Sequence, residues 1–207
     1  MSAGFFLTFE GADGSGKSTQ ARRLAATLTA EGRDVVLTRE PGGSDGAEEI
    51  RRLLVEGDPG RWSAETEILL FFAARRDHLE RTILPALERG ALVISDRFSD
   101  STRVYQGAAR GELRALVDTM HELMIGKEPD LTLVIDIDAE TGLKRGLARN
   151  SGEDRFEELG AGFQQKLRRG YRALLTDFPT RCIGIDGNGS EDKVAARVRA
   201  AIMSRLS

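Results

Sequence analysis

Residues 5–19 read FFLTFEGADGSGKST, an apolar run followed by a glycine-rich turn and a lysine. Gly11 to Ser18 match the pattern G-x-x-x-x-G-K-[ST], in which backbone N–H groups curl around phosphate oxygens. The apolar run predicts a buried strand, and the residues after the turn predict a helix whose N-terminus adds positive charge. Strand, loop and helix in this order predict a nucleoside triphosphate site in an α/β domain.

Single residues of this phosphate loop have predicted roles. Lys17 is expected to reach the β- and γ-phosphates, and the hydroxyl of Ser18 is expected to bind Mg²⁺. The residues predicted to bind the triphosphate are Gly11, Ala12, Asp13, Gly14, Ser15, Gly16, Lys17, Ser18 and Thr19. The motif alone does not identify the acceptor of a phosphoryl group.

Short apolar runs alternate with longer helix-like segments along the rest of the chain, which is typical of a parallel sheet flanked by helices. The predicted strands are Phe5–Phe9, Asp34–Thr38, Ala91–Ser95, Leu131–Ile135 and Arg181–Ile185. The predicted helices are Lys17–Glu31, 63–84, Glu112–Ile125, Ala139–Arg149, Ala161–Asp177 and Glu191–Leu206, and Pro85 is expected to bend or interrupt the second of them. We therefore expect one α/β domain, residues 1–207, with the three-layer P-loop NTPase fold. A polar, charged segment at about 149–160 is predicted to be a short lid.

Composition argues against several classes of partner. The chain has 207 residues and a net charge of −3, whereas proteins that grip nucleic acid along their length are normally basic. The single cysteine, Cys182, suits a reducing compartment, and the apolar residues 4–9 are too few for a signal peptide or a membrane span. We expect a cytoplasmic protein with no nucleic-acid or membrane partner.

Charged residues follow three of the predicted strands, at the edge where parallel α/β sheets bind ligands. Asp96 can hold the shell of a Mg²⁺ ion, and Arg97 can fork onto a phosphate. The alternative for Asp96 and Arg97 is an ion pair at the surface. The loop 39–43, which follows the second strand, contains a proline and two glycines and suits close approach to a ligand; the alternative is a plain tight turn. Asp136 and Asp138 are expected to cap the next helix, with a metal role as the alternative.

Phe71 and Arg75 are four residues apart and share one face of a predicted helix. The ring offers a stacking surface for a base, and the guanidinium can donate to a carbonyl at the edge of that base. The alternative is a core phenylalanine beside a solvated arginine, and Phe72 is assigned to the core.

Seven stretches together resemble the thymidylate kinase family, in its bacterial branch, along essentially the whole chain. They are FEGADGSGKST, TREPGG, LLFFAARRDHL, SDRFSDST with its trailing YQG, PDLTLVIDID, GLKRGLARNSGEDRFE and IDGNGSEDKV. The resemblance implies a homodimeric enzyme that transfers the γ-phosphoryl group of ATP to dTMP with Mg²⁺. The helices at 63–84 and 112–125 are the candidate dimer interface.

The resemblance implies that Arg97 grips the dTMP phosphate and that Asp13 holds the sugar 3′-hydroxyl or, alternatively, belongs to the Mg²⁺ shell. Phe71 and Arg75 would contact the thymine ring and its O4, and Tyr105 would exclude a 2′-hydroxyl. The groups expected to read N3–H and O2 lie on Ser101, Thr102, Tyr105 and Gln106. The resemblance also implies a cis peptide bond before Pro41. The full set of implied substrate-binding residues is Asp13, Arg39, Pro41, Phe71, Arg75, Arg97, Ser101, Thr102, Tyr105 and Gln106.

A catalytic arginine is implied in the lid. Another branch of the family carries it in the phosphate loop, where this chain has Gly14, and the bacterial branch supplies it from the lid. Arg149 fits that position, with Arg145 and Arg155 as rivals. The implied catalytic residues are Lys17, Arg97 and Arg149.

The same residues allow three alternative functions. Another P-loop kinase for a nucleotide or a small metabolite is the main alternative. A GTP-dependent switch is disfavoured because no N-K-x-D tetrapeptide occurs in the chain. A mechanical ATPase would need additional domains that this chain length does not hold.

Overall fold

Five parallel strands form the sheet of the computed structural model, which describes residues 4–58, 60–109, 112–147, 160–203 and 205. They are β1 Phe5–Glu10, β2 Val35–Arg39, β3 Leu92–Asp96, β4 Leu131–Asp136 and β5 Cys182–Asp186. Their spatial order is β2-β3-β1-β4-β5, so the strand that leads into the phosphate loop lies at the centre. All four neighbouring pairs are parallel, which confirms the predicted sheet.

Helices connect the strands and cover both faces of the sheet. They are α1 Lys17–Ala30, α2 Asp45–Val55, α3 Ala64–His78, α4 Leu84–Glu88, α5 Ser99–Thr102, α6 Arg114–Met124, α7 Ala139–Leu147, α8 Gly160–Asp177 and α9 Glu191–Met203, with π-helical turns at Leu79–Ile83 and Arg103–Ala109. The turn at Leu79–Ile83 interrupts the long helix where predicted, because Pro85 has no N–H for the carbonyl four residues earlier. No helix among the described residues is long and apolar enough to cross a membrane.

Alternation along β1 separates the two faces of the sheet. Leu7 and Phe9 pack with α1 and α9, whereas Phe6 packs with α3 and α6 on the other face. Because side chains of a strand point alternately to opposite faces, Thr8 and Glu10 must share the side of Phe6. Both are fully buried, so this face carries polar groups under its helices.

The sequence analysis predicted no element over α2, which the structure forms from DGAEEIRRLLV. The segment carries a helical signal that the prediction overlooked, because its buried residues Ala47 and Leu54 lie on one face of an otherwise charged segment. They are seven residues apart, so they face the same way after two turns. The helix packs against α3 and thereby closes one side of the site described next.

Candidate active site

A cavity of about 340 Å³ opens at the carboxyl edge of the sheet. Its walls come from the loops that follow β1, β2 and β3, together with α2, α3 and the segment after Arg97. Ligands of open α/β sheets bind at this edge. The predicted phosphate loop and the predicted acceptor residues therefore belong to one site.

The phosphate loop lies between β1 and α1. Its turn is closed by the N–H of Ser15, which donates to the carbonyl of Ala12 at 3.1 Å. Lys17 is 4% exposed, and its Nζ donates to Oδ1 of Asp13 at 3.2 Å. Burial lowers the pKa of Lys17, as does Arg97, while Asp13 opposes the shift. The hydroxyl of Ser15 is buried and has no hydrogen-bond partner among the described residues.

Asp13, Arg97 and Tyr105 form a charged cluster on the floor of the cavity. Arg97 donates from Nη2 to Oδ1 of Asp13, and the Tyr105 hydroxyl donates to Oδ2 at 2.8 Å. Burial alone would raise the pKa of Asp13, but Arg97 and Lys17 outweigh it and hold that pKa well below its usual range. The carboxylate is therefore charged throughout the physiological pH range, so both of its oxygens act only as hydrogen-bond acceptors.

Arg97 has a left-handed backbone, with φ at 73°, the only such non-glycine residue among those the structure describes. A conformation of this kind costs about 1–3 kcal/mol and persists only where neighbours impose it. Its N–H donates to the carbonyl of Phe9 at 2.9 Å, and its carbonyl accepts from the Ser95 hydroxyl at 2.7 Å. The strained backbone thus directs the guanidinium into the cavity.

Glu10 is a buried carboxylate that the sequence analysis did not select. Its Oε1 accepts from the N–H groups of Phe98 at 2.8 Å and Ser101 at 3.2 Å, and its Oε2 accepts from the Ser101 hydroxyl at 2.6 Å. Burial, followed by repulsion from Asp100, raises the pKa of Glu10 to about 7, although Arg97 acts in the opposite direction. An acidic residue at the end of an apolar strand was the available signal in the sequence.

Tyr171 reaches the same cluster from α8. Its hydroxyl accepts from Nη1 of Arg97 at 3.0 Å and shares a hydrogen bond of 3.0 Å with the Ser101 hydroxyl. The side chain is 3% exposed, and burial raises its pKa far above the usual range for tyrosine. No sequence motif marks Tyr171, because its role arises from the packing of α8 over β4.

Arg75 is held by a chain of buried polar groups. Its Nε donates to Oε2 of Glu40 at 2.7 Å, and its Nη2 donates to Thr102 Oγ1 at 3.0 Å and to the Phe98 carbonyl at 3.2 Å. His78 lies 3.0 Å from the other oxygen of Glu40, so it fixes that carboxylate. Nη1 of Arg75 is buried without a partner among the described residues, which leaves one donor for a ligand.

The two adjacent phenylalanines of α3 separate as predicted. Phe71 is half-buried and lines the cavity, whereas Phe72 is 2% exposed and belongs to the core under the sheet. Phe71 and Arg75 therefore face the cavity from one side of α3. The structure places a flat apolar surface beside a free guanidinium donor.

Ser18 and Asp96 both line the cavity. Oδ1 of Asp96 is buried and has no hydrogen-bond partner among the described residues. A hydroxyl and a carboxylate oxygen are ligands that Mg²⁺ takes, with water and phosphate oxygens completing its shell. The donor set fits the predicted metal.

Comparison with known proteins now adds to this geometry. The family model described as thymidylate kinase matches residues 9–198. The chain belongs to the thymidylate kinase family. The family and the P-loop fold predicted from the sequence are therefore confirmed.

Individual thymidylate kinases resemble the chain over nearly its full length. The enzyme of Ruegeria pomeroyi is 64% identical over 99% of this chain and 97% of its own length. The enzyme of Dinoroseobacter shibae is 68% identical over 95% of both chains. The crystal structure of thymidylate kinase from Ehrlichia chaffeensis is 33% identical, with a TM-score of 0.80 over 97% of this chain and 99% of that one.

In this thymidylate kinase family member, the cavity collects most of the side chains predicted for the site. Those that line it are Asp13, Lys17, Ser18, Arg39, Pro41, Phe71, Arg75, Asp96, Arg97, Ser101, Thr102, Tyr105 and Gln106. The bond before Pro41 is cis. The lining residues that sequence analysis did not select are Arg22, Glu40, Arg51, Leu54, Val55 and Phe98. The residues predicted to bind the triphosphate that do not line the cavity are Gly11, Ala12, Gly14, Ser15, Gly16 and Thr19. Arg145 is exposed on α7, and Arg149 and Arg155 lie outside the described residues.

The two acids after β4 have different roles. Oδ2 of Asp138 accepts from the N–H groups of Glu140 and Thr141 at 3.2 and 3.3 Å, so its predicted capping is confirmed. The same prediction for Asp136 is wrong, because Arg168 and Arg172 of α8 bind its carboxylate at 2.7 and 2.8 Å. These arginines are four residues apart and therefore meet one carboxylate together.

Proposed function

We propose that this chain transfers the γ-phosphoryl group of ATP to dTMP, giving dTDP and ADP for dTTP synthesis in DNA replication. Membership of the family supports this reaction. The structural observation that supports it most strongly is one cavity beside the phosphate loop. Its walls hold cations at one end and the pair Phe71 and Arg75 at the other. A phosphate and a planar base therefore each have matching groups within one cavity.

Charge neutralisation is the main task of such a site. Two dianionic phosphates about 4 Å apart repel by roughly 4 kcal/mol even in water, and by more in a closed cavity. Lys17 is buried and Arg97 is largely buried, with 16% of its side chain exposed, so their charges are screened less than on the surface. We propose that Lys17 binds the donor phosphates and that Arg97, with Arg39 nearby, binds the acceptor phosphate in a direct in-line transfer.

We propose that the nucleoside of dTMP lies along the remaining wall. Phe71 would stack on the ring, and the free Nη1 of Arg75 would donate to O4. Tyr105 would lie against the deoxyribose, and Asp13 would accept from the 3′-hydroxyl. The polar groups proposed for N3–H and O2 lie on Ser101, Thr102 and Gln106.

ATP is the proposed donor, and Ser18 and Asp96 are the residues that would hold Mg²⁺. The ion would neutralise phosphate charge when bound. The arginine of the proposed lid stays a prediction at Arg149. It would add a further charge on closure, and closure would exclude water from the transferring group. The single-domain organisation and the cytoplasmic location also remain predictions.

We further propose a homodimer through α3 and α6. Leu116 and Leu123 are exposed seven residues apart on α6, and Leu69 is exposed on α3. Arg76 of α3 donates to the carbonyl of Met124 at 2.9 Å, which joins the two helices next to these apolar residues. An apolar face that extends over two helices favours a partner surface over water.

A coupled assay with ATP, Mg²⁺ and a panel of monophosphates tests the reaction. We expect turnover of dTMP to exceed that of AMP and GMP by about 100-fold or more, because both purines are larger than a pyrimidine and adenine also presents an amino group and an acceptor nitrogen to Arg75 and Gln106. Some dUMP activity is expected, since one methyl group is worth about 1–3 kcal/mol in an apolar pocket. Turnover of dTMP no better than that of AMP or GMP would favour another P-loop kinase.

A further inference from the structure

Glu67 is a fully buried carboxylate of α3 that does not line the cavity. It lies four residues before Phe71 and eight before Arg75, so all three share one stripe along the helix. Phe71 and Arg75 face the proposed base. A buried carboxylate is costly unless it accepts hydrogen bonds, so its partners indicate its role.

Gln106 is one of these partners. Its Nε2 donates to Oε2 of Glu67 at 3.1 Å, and its side chain is 1% exposed at the cavity wall. The two ends of an amide differ, because the nitrogen donates and the oxygen accepts. A carboxylate that accepts from the nitrogen therefore sets the orientation of the whole amide. The described residues offer no donor to Oε1 of Gln106, so that oxygen is the end left for the cavity.

The orientation of this amide matters for the choice of base. Thymine and uracil carry a hydrogen on N3 and donate from it, whereas N3 of cytosine accepts. A carbonyl oxygen facing N3 forms a hydrogen bond with the first two bases and repels the third.

We propose that Glu67 is a positioning residue that directs the Gln106 carbonyl toward N3, and so selects thymine and uracil over cytosine. The inference rests on the proposed function, because it presupposes a pyrimidine monophosphate in this cavity. Glu67 acts through Gln106 and does not itself touch the base.

Arg75 contributes separately to the same choice, since a guanidinium donor favours O4 over the amino group of cytosine. Arg75 is held by Glu40, Thr102 and the Phe98 carbonyl, and Glu67 takes no part in those bonds. A change at Glu67 therefore leaves the Arg75 contribution in place. Variants of Glu67 therefore report on the contribution of Gln106 to the choice between thymine and cytosine.

The test substitutes Glu67→Gln and compares dTMP with 5-methyl-dCMP, which differ only at the N3–C4 edge. A glutamine at this position can donate as well as accept, so the Gln106 amide can rotate its nitrogen toward the base. We expect the ratio of kcat/KM for dTMP to that for 5-methyl-dCMP to fall about tenfold or more. The ratio for dTMP and dUMP should not change, because both bases donate from N3.

Glu65→Gln is the matched control, since Glu65 is exposed two residues earlier on the same helix. It should leave both ratios as in the wild type. In a Gln106→Leu background, Glu67→Gln should move the dTMP to 5-methyl-dCMP ratio less than twofold, because the amide is gone. Should Glu67→Gln be too unstable to assay, Glu67→Met removes the acceptor without a new polar group and should lower the same ratio.

Three results would overturn the inference: an unchanged ratio in Glu67→Gln, an equal shift in the Gln106→Leu background, or an equal shift in Glu65→Gln. A wild-type protein that phosphorylates neither dTMP nor dUMP would overturn the proposed function instead. If the wild type is active and the ratio of kcat/KM for dTMP to that for 5-methyl-dCMP is unchanged in Glu67→Gln, only the role of Glu67 is overturned.

Discussion

Arg97 combines a strained backbone with a fully engaged guanidinium. Asp13, Ser101, Tyr105 and Tyr171 all contact its Nη atoms before any substrate is present. Their oxygens hold the cation in the place where a phosphate would need it. In the proposed function the acceptor phosphate would meet an oriented cation, which avoids much of the cost of ordering a long side chain.

Arg97→Ala is expected to raise KM for dTMP about 10–100-fold, because a buried hydrogen bond to a charged group is worth about 1.5–3 kcal/mol. Turnover should fall less than KM rises, as measured by steady-state kinetics at saturating ATP. Arg149→Ala provides the comparison and is expected mainly to lower turnover. The reverse pattern in the two variants would contradict the roles assigned here.

Glu10 makes the free energy of unfolding depend on pH, and the direction of its pKa shift gives the sign. Its pKa is raised from 4.5 to about 7, so the folded protein holds this proton more tightly than the unfolded chain does. Glu10 therefore reduces stability progressively as pH rises from about 4.5 to 7. Glu10→Gln removes the titration while keeping the shape of the side chain.

Between pH 5 and 7.5, the free energy of unfolding of Glu10→Gln should gain about 1–3 kcal/mol relative to the wild type. Denaturant titrations at the two pH values measure this difference. The exposed Glu65→Gln serves as the control and should show no such gain. A difference that is the same at both pH values would mean that Glu10 does not titrate in this range.

The phosphate loop and α7 approach each other at two glycines. A Cβ on Gly14, where φ is 78°, would lie 1.9 Å from the carbonyl oxygen of Gly142. No side chain fits there unless α7 moves. An arginine at position 14, as in the other branch of the family, is thus incompatible with this packing, which agrees with a catalytic arginine carried elsewhere.

Gly14→Ala is expected to destabilise the protein, and Gly16→Ala supplies the control. Both glycines have a positive φ, but a Cβ on Gly16 meets nothing within 4 Å. Gly16→Ala therefore carries the backbone strain alone, while Gly14→Ala adds a collision with a carbonyl. The loss of unfolding free energy for Gly14→Ala should exceed that for Gly16→Ala by about 1–3 kcal/mol in denaturant titrations without nucleotide. Equal losses would show that α7 yields without cost.

The homodimer proposed above would use the exposed apolar face of α3 and α6. Leu123 is 74% exposed, more than any other large apolar residue among those described. In a twofold dimer each substitution acts twice, because the same surface is used by both subunits. A charge placed there should therefore separate the subunits.

Leu123→Glu is expected to raise the dimer dissociation constant about 100-fold or more, since a desolvated charge without a partner costs several kcal/mol. Light scattering after size-exclusion chromatography measures the mass of the assembly. Met203→Glu is the control, because Met203 is exposed on α9, away from α3 and α6. A monomeric wild type, or an equal effect of Met203→Glu, would contradict this interface.

Several features were readable along the chain. The strand before the phosphate loop and the order of strands and helices follow from apolar runs and spacing, whereas the different roles of Phe71 and Phe72 were implied only by the family resemblance. Such patterns record which side of an element is buried, and burial dominates the free energy of folding. The helix α2 has the same kind of spacing, at Ala47, Ile50 and Leu54, and was overlooked in a short segment rich in charged residues.

The polar groups that orient the side chains of the site could not be predicted from local sequence patterns. Tyr171 is 74 residues from Arg97, and Gln106 is 39 residues from Glu67, yet each pair is joined by a hydrogen bond. No local period links residues so far apart, because their contact depends on how α8 and α3 pack over the sheet. Local patterns were sufficient to locate the phosphate loop and the catalytic edge. Packing of distant elements alone established which polar groups hold Arg97, Arg75 and Gln106 in place, since a buried donor must find its acceptor wherever the folded chain supplies one.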